Sequence, residues 1–155
     1  MTYRIRGLER SHFEHYFSMS ETQLVQNRAR RIIASAERGY PCRISLEDAR
    51  QGEDLVLVHH TSHDVETPYR SAYAIYVREN AIEPAEYVDT IPPVFERRPL
   101  ALRGFDKDGL LTDARLVLSG EADLAIREFL ENKRIAYIHA HNAAHGCFAA
   151  RIDRA

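Results

Sequence analysis

The strongest constraint on the fold is a hairpin pattern between Pro99 and Leu118. Two apolar arms, PLALRGF and LLTDARLVL, flank the tetrapeptide DKDG at residues 106–109. Its aspartates can bond to their own backbone, and its glycine supplies the positive φ that a tight turn needs. A calcium-binding loop would need a longer register of oxygen ligands and a distal glutamate, which the sequence lacks. The segment therefore predicts two adjacent antiparallel strands.

Short alternating or apolar runs elsewhere predict further strands. These runs are TYRIRGL, RRIIASAE, EDLVLVHH and SAYAIYVRE, beginning at residues 2, 30, 53 and 71. EDLVLVHH has the continuous apolar character of a strand buried on both faces. In SAYAIYVRE, alternation predicts a half-buried face made of Tyr73, Ile75 and Val77. The segment from Ile82 to Pro99 holds four of the six prolines, so we expect loop and sheet edge there.

Residues 121–133 predict the clearest helix, because their apolar side chains recur on one helical face. Those side chains are Ala122, Ala125, Ile126, Phe129 and Leu130. A second, shorter helix is predicted after Ser20, which has the capping partner Gln23 three positions later. We therefore expect a single α+β domain over residues 1–155. It is built mainly on an antiparallel sheet of several short strands, with the helix 121–133 and a C-terminal hairpin.

The charge balance and the length of the apolar runs exclude several classes of partner. The chain has 21 basic and 23 acidic side chains, so it has no general attraction to nucleic acid or anionic lipid. No apolar run approaches the ~20 residues of a membrane-spanning helix, and the start has no secretory-signal pattern. Two cysteines do not make a disulfide scaffold, so we expect a cytoplasmic protein with free thiols.

Reactive side chains are concentrated in the segment YIHAHNAAHGCF, residues 137–148. Strand alternation places Tyr137, His139 and His141 on one face, with alanine and isoleucine on the other. Pairing the apolar positions of both arms leaves a turn over residues 142–146. The cross-strand pairs predicted by this register are His141 with Cys147, His139 with Ala149, and Tyr137 with Arg151.

This polar face suggests a metal site. His139 and His141 have Cα atoms ~6.6 Å apart, the length of two strand steps. With Cys147 as a third ligand, the site would keep the open position that is typical of catalytic zinc. One hypothesis is therefore a divalent metal such as zinc, bound by His139, His141 and Cys147.

The same face also suggests a site without a metal. His141 beside Cys147 would favour the thiolate and make Cys147 a nucleophile, while Arg151 would hold an anionic group. A third interpretation is structural: the histidines satisfy buried hydrogen bonds, and the cysteine fills apolar space. The residues alone leave the three interpretations open.

Two further segments carry candidate ligand-binding residues. Arg43, in the segment PCRISLED, could bind a carboxylate or phosphate with its planar fork, although an ion pair with Glu47 or Asp48 is the simpler interpretation. Tyr69 and Arg70 follow Pro68 in a loop and offer a hydroxyl and a cation. His59, His60 and His63, a few residues before them, could join a site, although strand alternation lets at most one of His59 and His60 face a given cleft. A disulfide between Cys42 and Cys147 would require Cα atoms about 4.4–6.8 Å apart.

Taken in order, the segments PCRISLEDARQGE, PYR, YIHAHNA and GCFAARIDRA resemble a bacterial family catalogued as domain of unknown function 1203 (DUF1203). The resemblance covers nearly the whole chain, and Pro-Cys-Arg and Gly-Cys-Phe are its most specific pieces. It implies a single-domain bacterial protein and no particular activity. The resembling segments include Cys42, Arg43, Tyr69, Arg70 and Cys147.

The sequence therefore predicts a small polar pocket lined by the C-terminal hairpin. In the enzymatic hypothesis, a metal or a reactive thiol in that pocket acts on a small anionic molecule. In the first alternative, Arg43, Tyr69, Arg70 and Arg151 recognise an acidic ligand without chemistry. In the second, the polar face binds a partner protein or another copy of the chain.

Overall fold

The computed structural model describes residues 1–155 and shows nine strands and three helices. The strands are β1 (Tyr3–Arg6), β2 (Ala29–Ile33), β3 (Asp54–His63), β4 (Ser71–Arg78), β5 (Glu86–Val88), β6 (Leu100–Phe105), β7 (Leu111–Val117), β8 (Tyr137–Asn142) and β9 (Phe148–Arg154). The helices are α1 (Glu14–Phe17), α2 (Glu21–Gln26) and α3 (Ala122–Glu131). The predicted α+β class is confirmed.

The strands form two sheets. A six-stranded sheet has the order β5-β1-β9-β8-β6-β7, and a three-stranded sheet has the order β2-β3-β4. All neighbouring strands within the sheets are antiparallel. The antiparallel character was predicted, but the division into two sheets was not, because strand runs do not show which strands are neighbours.

The hairpin predicted between Pro99 and Leu118 is β6–β7. Leu100 pairs with Val117 at its open end, and the ladder shifts at a bulge near the turn. Asp106 accepts backbone hydrogen bonds from Asp108 and Leu110 at 2.9 and 3.0 Å. Gly109 has the expected positive φ of 80°. The predicted edge is also present, because the short strand β5 closes one side of the six-stranded sheet.

Helix α3 buries the predicted face against the six-stranded sheet. It begins at Ala122 and ends at Glu131, so it is slightly shorter than predicted. Its buried side chains are Ala122, Ala125, Ile126, Phe129 and Leu130. They share one core with Ile138, Ala140 and Ile152, which fixes the apolar face of the last hairpin toward the helix. None of the three helices is long and apolar enough to cross a membrane.

A second core lies under the three-stranded sheet, where Val56, Val58, Ile75 and Val77 pack with Leu24 of α2. Helix α2 begins with the predicted capping box, in which Ser20 and Gln23 exchange hydrogen bonds. The prediction for β4 was wrong at one position. Tyr73 is 57% exposed, although Ile75 and Val77 on the same face are buried.

The predicted register of the last hairpin was wrong by two residues. The observed cross-strand pairs are Ile138 with Ile152, His139 with Arg151, and Ala140 with Ala150. The apolar face had been assigned correctly, because a shift of two residues preserves alternation. Beyond Ala140, a bulge changes the register so that His141 pairs with Phe148. A bulge of this kind inserts an extra residue, which turns the Phe148 ring to the histidine face, 5.0 Å from the ring of His139.

The segment after Pro41 joins the two sheets. Cys42 forms an isolated bridge with Tyr76 of β4, and the carbonyl of Arg43 accepts a hydrogen bond from Leu8 at 2.7 Å. Gly7, directly after β1, lies so close that a Cβ there would be 1.9 Å from the carbonyl oxygen of Ile44. This close contact fixes the backbone that carries Arg43.

Candidate functional site

All of the predicted site residues except Arg151 line one of two separate cavities. The first, here called the thiol cavity, has a volume of about 410 Å³ and is lined in part by Arg43 and Cys147. The second, here called the histidine cavity, has a volume of about 300 Å³. Its lining includes Tyr69, Arg70, His139 and His141.

Arg151 lines neither cavity. Its guanidinium pairs with Asp153 at 2.8 Å and lies 4.1 Å from the centroid of the Tyr137 ring. The side chain is about half exposed. Cation and aromatic ring therefore form a surface contact on the six-stranded sheet, away from Cys147.

Arg43 is the buried cation of the thiol cavity. The residue is 2% exposed. Its Nε donates to the carbonyl of Phe148 at 2.8 Å, and its Nη1 donates to the carbonyl of Pro41. Its Nη2 donates to the sulfur of Cys147 at 3.1 Å. The Pro-Cys-Arg and Gly-Cys-Phe segments, about a hundred residues apart in sequence, therefore meet through one side chain.

No carboxylate neutralises Arg43. Glu47 lies 3.5 Å from Arg78, and Asp48 binds Arg98 at 2.6 Å, so the expected ion pair of Arg43 with either acid was wrong. Burial lowers the pKa of Arg43, and the nearby Cys147 sulfur opposes that effect. An arginine remains protonated in a protein. The sulfur of Cys147 is therefore the group best placed to balance a buried positive charge.

Cys147 is half-buried at the cavity wall. Asn142 holds it twice, by a backbone hydrogen bond to its carbonyl at 2.9 Å and by a side-chain contact from Nδ2 to sulfur at 3.4 Å. Gly146, at φ 78°, forms the turn directly before it. The exposed ring of His145 lines the same cavity.

The other cysteine has no such access. Cys42 is fully buried in the second core. Its sulfur accepts backbone hydrogen bonds from Ile44 at 3.4 Å and from Arg78 at 3.3 Å. Both cysteines are free, so the two thiols are chemically distinct: one faces a cavity and the other is enclosed.

Three histidines meet at the histidine cavity. The rings of His139 and His141 lie on one face of β8 with centroids 6.5 Å apart, and His63 of β3 is 5.0 Å from His139. Nδ1 of His63 contacts the carbonyl of Tyr69 at 2.8 Å, so that nitrogen carries the hydrogen. Its Nε2 then accepts from the hydroxyl of Tyr137 at 2.6 Å.

His139 and His141 are neutral at neutral pH. Burial, followed by the neighbouring His63, lowers the pKa of His139 to about 3. Burial also lowers the pKa of His141 to about 4, although a hydrogen bond to the Gly146 carbonyl acts in the opposite direction. That bond, 2.9 Å long, places the hydrogen of His141 on Nδ1 and leaves Nε2 with a lone pair. In His139, Nδ1 is buried without any hydrogen-bond partner.

The structure does not bring the three predicted metal ligands together. His139 and His141 line one cavity, whereas Cys147 lines the other. His63, which does reach the two histidines, has both ring nitrogens engaged in hydrogen bonds. No group of three histidine, cysteine or acidic side chains has the arrangement of a metal site. His141 is likewise absent from the lining of the thiol cavity, and it contacts the Cys147 turn only through Gly146.

Sequence reasoning missed several polar residues that line the cavities, among them Arg98 and Asn142 beside Cys147, and Arg103 beside His139. A signal for Arg103 was present, because it interrupts the apolar arm of β6 with a cation. Arg103 pairs with His139 across β6 and β8, so the two side chains share a face. Neither Arg98 nor Asn142 had a comparable signal, since both lie at the ends of apolar runs.

Comparison with known proteins gave one match. A family model described as "Protein of unknown function (DUF1203)" matches residues 39–154, which include every residue of both cavities. Neither the curated proteins nor the solved structures contain a match to the chain. The chemistry of the two cavities must therefore be inferred from their own geometry.

Proposed function

The chain belongs to the DUF1203 family, and because membership assigns no activity, we propose a function from the geometry of the thiol cavity. Cys147 acts as a thiolate nucleophile toward a small anionic electrophile with an apolar body. The observation that carries the proposal is the contact between the buried, carboxylate-free guanidinium of Arg43 and the Cys147 sulfur, 3.1 Å long.

The buried charge of Arg43 supports a thiolate at Cys147. A buried cation is strongly unfavourable unless an anion or several hydrogen-bond acceptors balance it. Two backbone carbonyls satisfy hydrogen-bond donors of Arg43 but carry no net charge. Negative charge on the Cys147 sulfur would complete the balance, and a cation beside a cysteine favours the nucleophilic thiolate.

The thiol cavity gives a small ligand access to Cys147. The cavity of about 410 Å³ is within the usual size range of small-molecule sites. Its walls include Leu57, Tyr76 and Pro99, so an apolar body fits against them. Cys147 is the thiol that this cavity reaches, since Cys42 is enclosed.

Arg43 would also bind the anionic group of the ligand. A guanidinium has five N–H donors, and Arg43 uses three nitrogens in the contacts described above. Two N–H groups thus remain for a ligand at the cavity wall. A carboxylate or phosphate on the ligand would accept from them with charge-assisted hydrogen bonds.

Alkylation kinetics provide the test. Iodoacetamide and the anionic iodoacetate are each reacted with the intact protein at pH 7, and peptide mass spectrometry locates the modified sulfur. In both reactions the sulfur attacks the methylene carbon and iodide leaves. We expect Cys147 to react and Cys42 to react only after unfolding. We also expect iodoacetate to be favoured more at Cys147 than at the thiol of glutathione.

Variants of the two arginines give the matched comparison. Arg43→Met should slow alkylation of Cys147 at least about tenfold, the effect of losing one charge-assisted contact. Arg43→Lys, which keeps the charge, should retain more of the rate than Arg43→Met. Arg151→Met removes a cation outside the cavity and should leave the rate unchanged. Equal rates in wild type and Arg43→Met, with circular dichroism confirming the fold, would make Arg43 purely structural and end the proposal.

A further inference from the structure

We infer that the histidine cavity is a second site, which binds a small oxyanion together with one proton. The inference is independent of the thiol cavity, because neither Arg43 nor Cys147 lines the histidine cavity. Three observations carry it: an arginine without a partner, an imidazole nitrogen buried without a partner, and a lone pair on a neighbouring imidazole.

The arginine is Arg103. It lies in the middle of β6, is partly buried and lines the cavity. Its guanidinium forms no hydrogen bond or ion pair within the chain, unlike Arg70, the other cation of the cavity, which pairs with Asp64. No aspartate or glutamate lines the cavity. A partly buried guanidinium beside a cavity without acids is suited to a carboxylate or phosphate, whose geometry matches its fork.

The imidazoles of His139 and His141 determine which further hydrogen-bonding group the ligand must supply. His139 is 2% exposed, and its Nδ1 lacks a hydrogen-bond partner. His141 has its hydrogen directed to the Gly146 carbonyl, which leaves a lone pair on Nε2. This lone pair would repel an unprotonated oxyanion, whereas an acidic O–H of the ligand would donate a hydrogen bond to it. The ligand therefore binds with a proton, either on its own oxygen or on His141.

The charges around the histidines favour an anion over a metal cation. The charged side chains that affect these histidines are three arginines: Arg103 from β6 acts on both, Arg151 from β9 acts on His139, and Arg43 from the segment after Pro41 acts on His141. All of them oppose positive charge on the imidazoles. A bound oxyanion reverses this effect, so its binding raises the pKa of the histidines and takes up a proton.

The size of the cavity limits the ligand. About 300 Å³ accommodates inorganic phosphate or a small organic acid, and Phe105 and Leu111 provide apolar wall for a short carbon chain. Phosphate and carboxylate share the required oxyanion, so the experiment uses a separate probe for each.

Isothermal titration calorimetry with inorganic phosphate and with acetate tests the inference. Each titration is repeated in two buffers of different ionisation enthalpy, which measures the protons taken up. We expect saturable binding of at least one probe, with proton uptake at pH 7 and tighter binding as the pH is lowered toward 6. Failure of both probes to bind at millimolar concentration would overturn the inference.

Three variants assign the binding to this cavity. Arg103→Met should weaken binding at least about tenfold, the loss expected for a charge-assisted contact. His141→Gln should bind with reduced proton uptake. Lys133→Gln, which removes an exposed cation after α3, is the control for net charge and should bind like wild type. Unchanged affinity in Arg103→Met, or an equal loss of affinity in Lys133→Gln, would place the anion elsewhere and refute the inference.

Discussion

Single buried residues with unbalanced polar groups determine the chemistry available to this protein. Arg43 is a buried cation whose guanidinium donates to the sulfur of Cys147, and His139 is a buried imidazole with one unpartnered nitrogen. Most buried polar groups in proteins are paired, so such exceptions are costly to the fold. The free-energy cost of burying these unbalanced groups is consistent with a ligand or a reactive group at each position.

Stability toward acid should depend on His139. Its pKa in the folded protein is about 3, whereas an unfolded histidine titrates near ~6.5. Between these values the unfolded chain binds more protons, so the free energy of unfolding decreases as the pH falls below ~6.5. From pH 7 to pH 5, wild type should lose roughly 2 kcal/mol more than His139→Gln. Urea unfolding at both pH values measures this, and identical losses would contradict the burial effect.

Among the elements, β8 and the turn after it distribute the reactive side chains. Alternation sends His139 and His141 to one face, and the turn then carries Cys147 to a different cavity. The bulge in β9 adds Phe148 to the histidine face, where its ring packs 5.0 Å from His139. A strand that continued without a bulge would have placed this aromatic ring in the core with α3.

Helix α2 depends on its N-terminal cap. It has only six residues, which is too short for a helix to be stable by itself. Ser20 accepts from the backbone of Gln23, and the Gln23 side chain accepts from the backbone of Ser20. Ser20→Ala should lower the free energy of unfolding by about 1 kcal/mol in urea unfolding. Ser119→Ala, at an exposed serine, is the control; an equal loss there would show that the cap contributes nothing specific.

At the scale of the whole molecule, the junction between the two sheets positions the thiol cavity. Backbone hydrogen bonds join Gly7 to Ala85 and Leu8 to Arg43, at 2.9 and 2.7 Å. Because Arg43 is held at this junction and reaches Phe148 on β9, it connects the three-stranded sheet to the six-stranded one. The geometry of Cys147 therefore depends on how the sheets pack together.

Two glycine substitutions test the junction. A Cβ at Gly7 would lie 1.9 Å from the backbone oxygen of Ile44, which cannot move without displacing the segment of Arg43. A Cβ at Gly104 would lie 2.6 Å from the end of the Ile135 side chain, which is easier to displace than backbone. We expect Gly7→Ala to cost about 3 kcal/mol of unfolding free energy and Gly104→Ala about 1 kcal/mol. Urea unfolding gives both values, and a larger loss for Gly104→Ala would contradict the role of the junction.

Local chemistry made several elements predictable from the sequence. The turn residues at 106–109 gave the hairpin β6–β7, Ser20 and Gln23 gave the start of α2, and apolar spacing gave α3 with its buried face. The apolar face of the last hairpin was also predicted, because alternation requires only neighbouring residues. Its register was not predicted, because pairings that differ by two residues satisfy the same alternation, and no local pattern signals the bulge that brings Phe148 beside His139.

The sequence by itself determined the fold class, most of the elements and the residue types able to carry chemistry, because propensity, capping and periodicity act over a few residues. Only the tertiary structure decided which of those residues meet. It joined Arg43 to Cys147 across more than a hundred positions and gave His139 the neighbours His63 and Arg103. It also placed Cys147 in a different cavity from His139 and His141, although all three lie within nine residues of the sequence. These contacts between distant residues depend on how the two sheets pack together. No local sequence pattern specifies that packing.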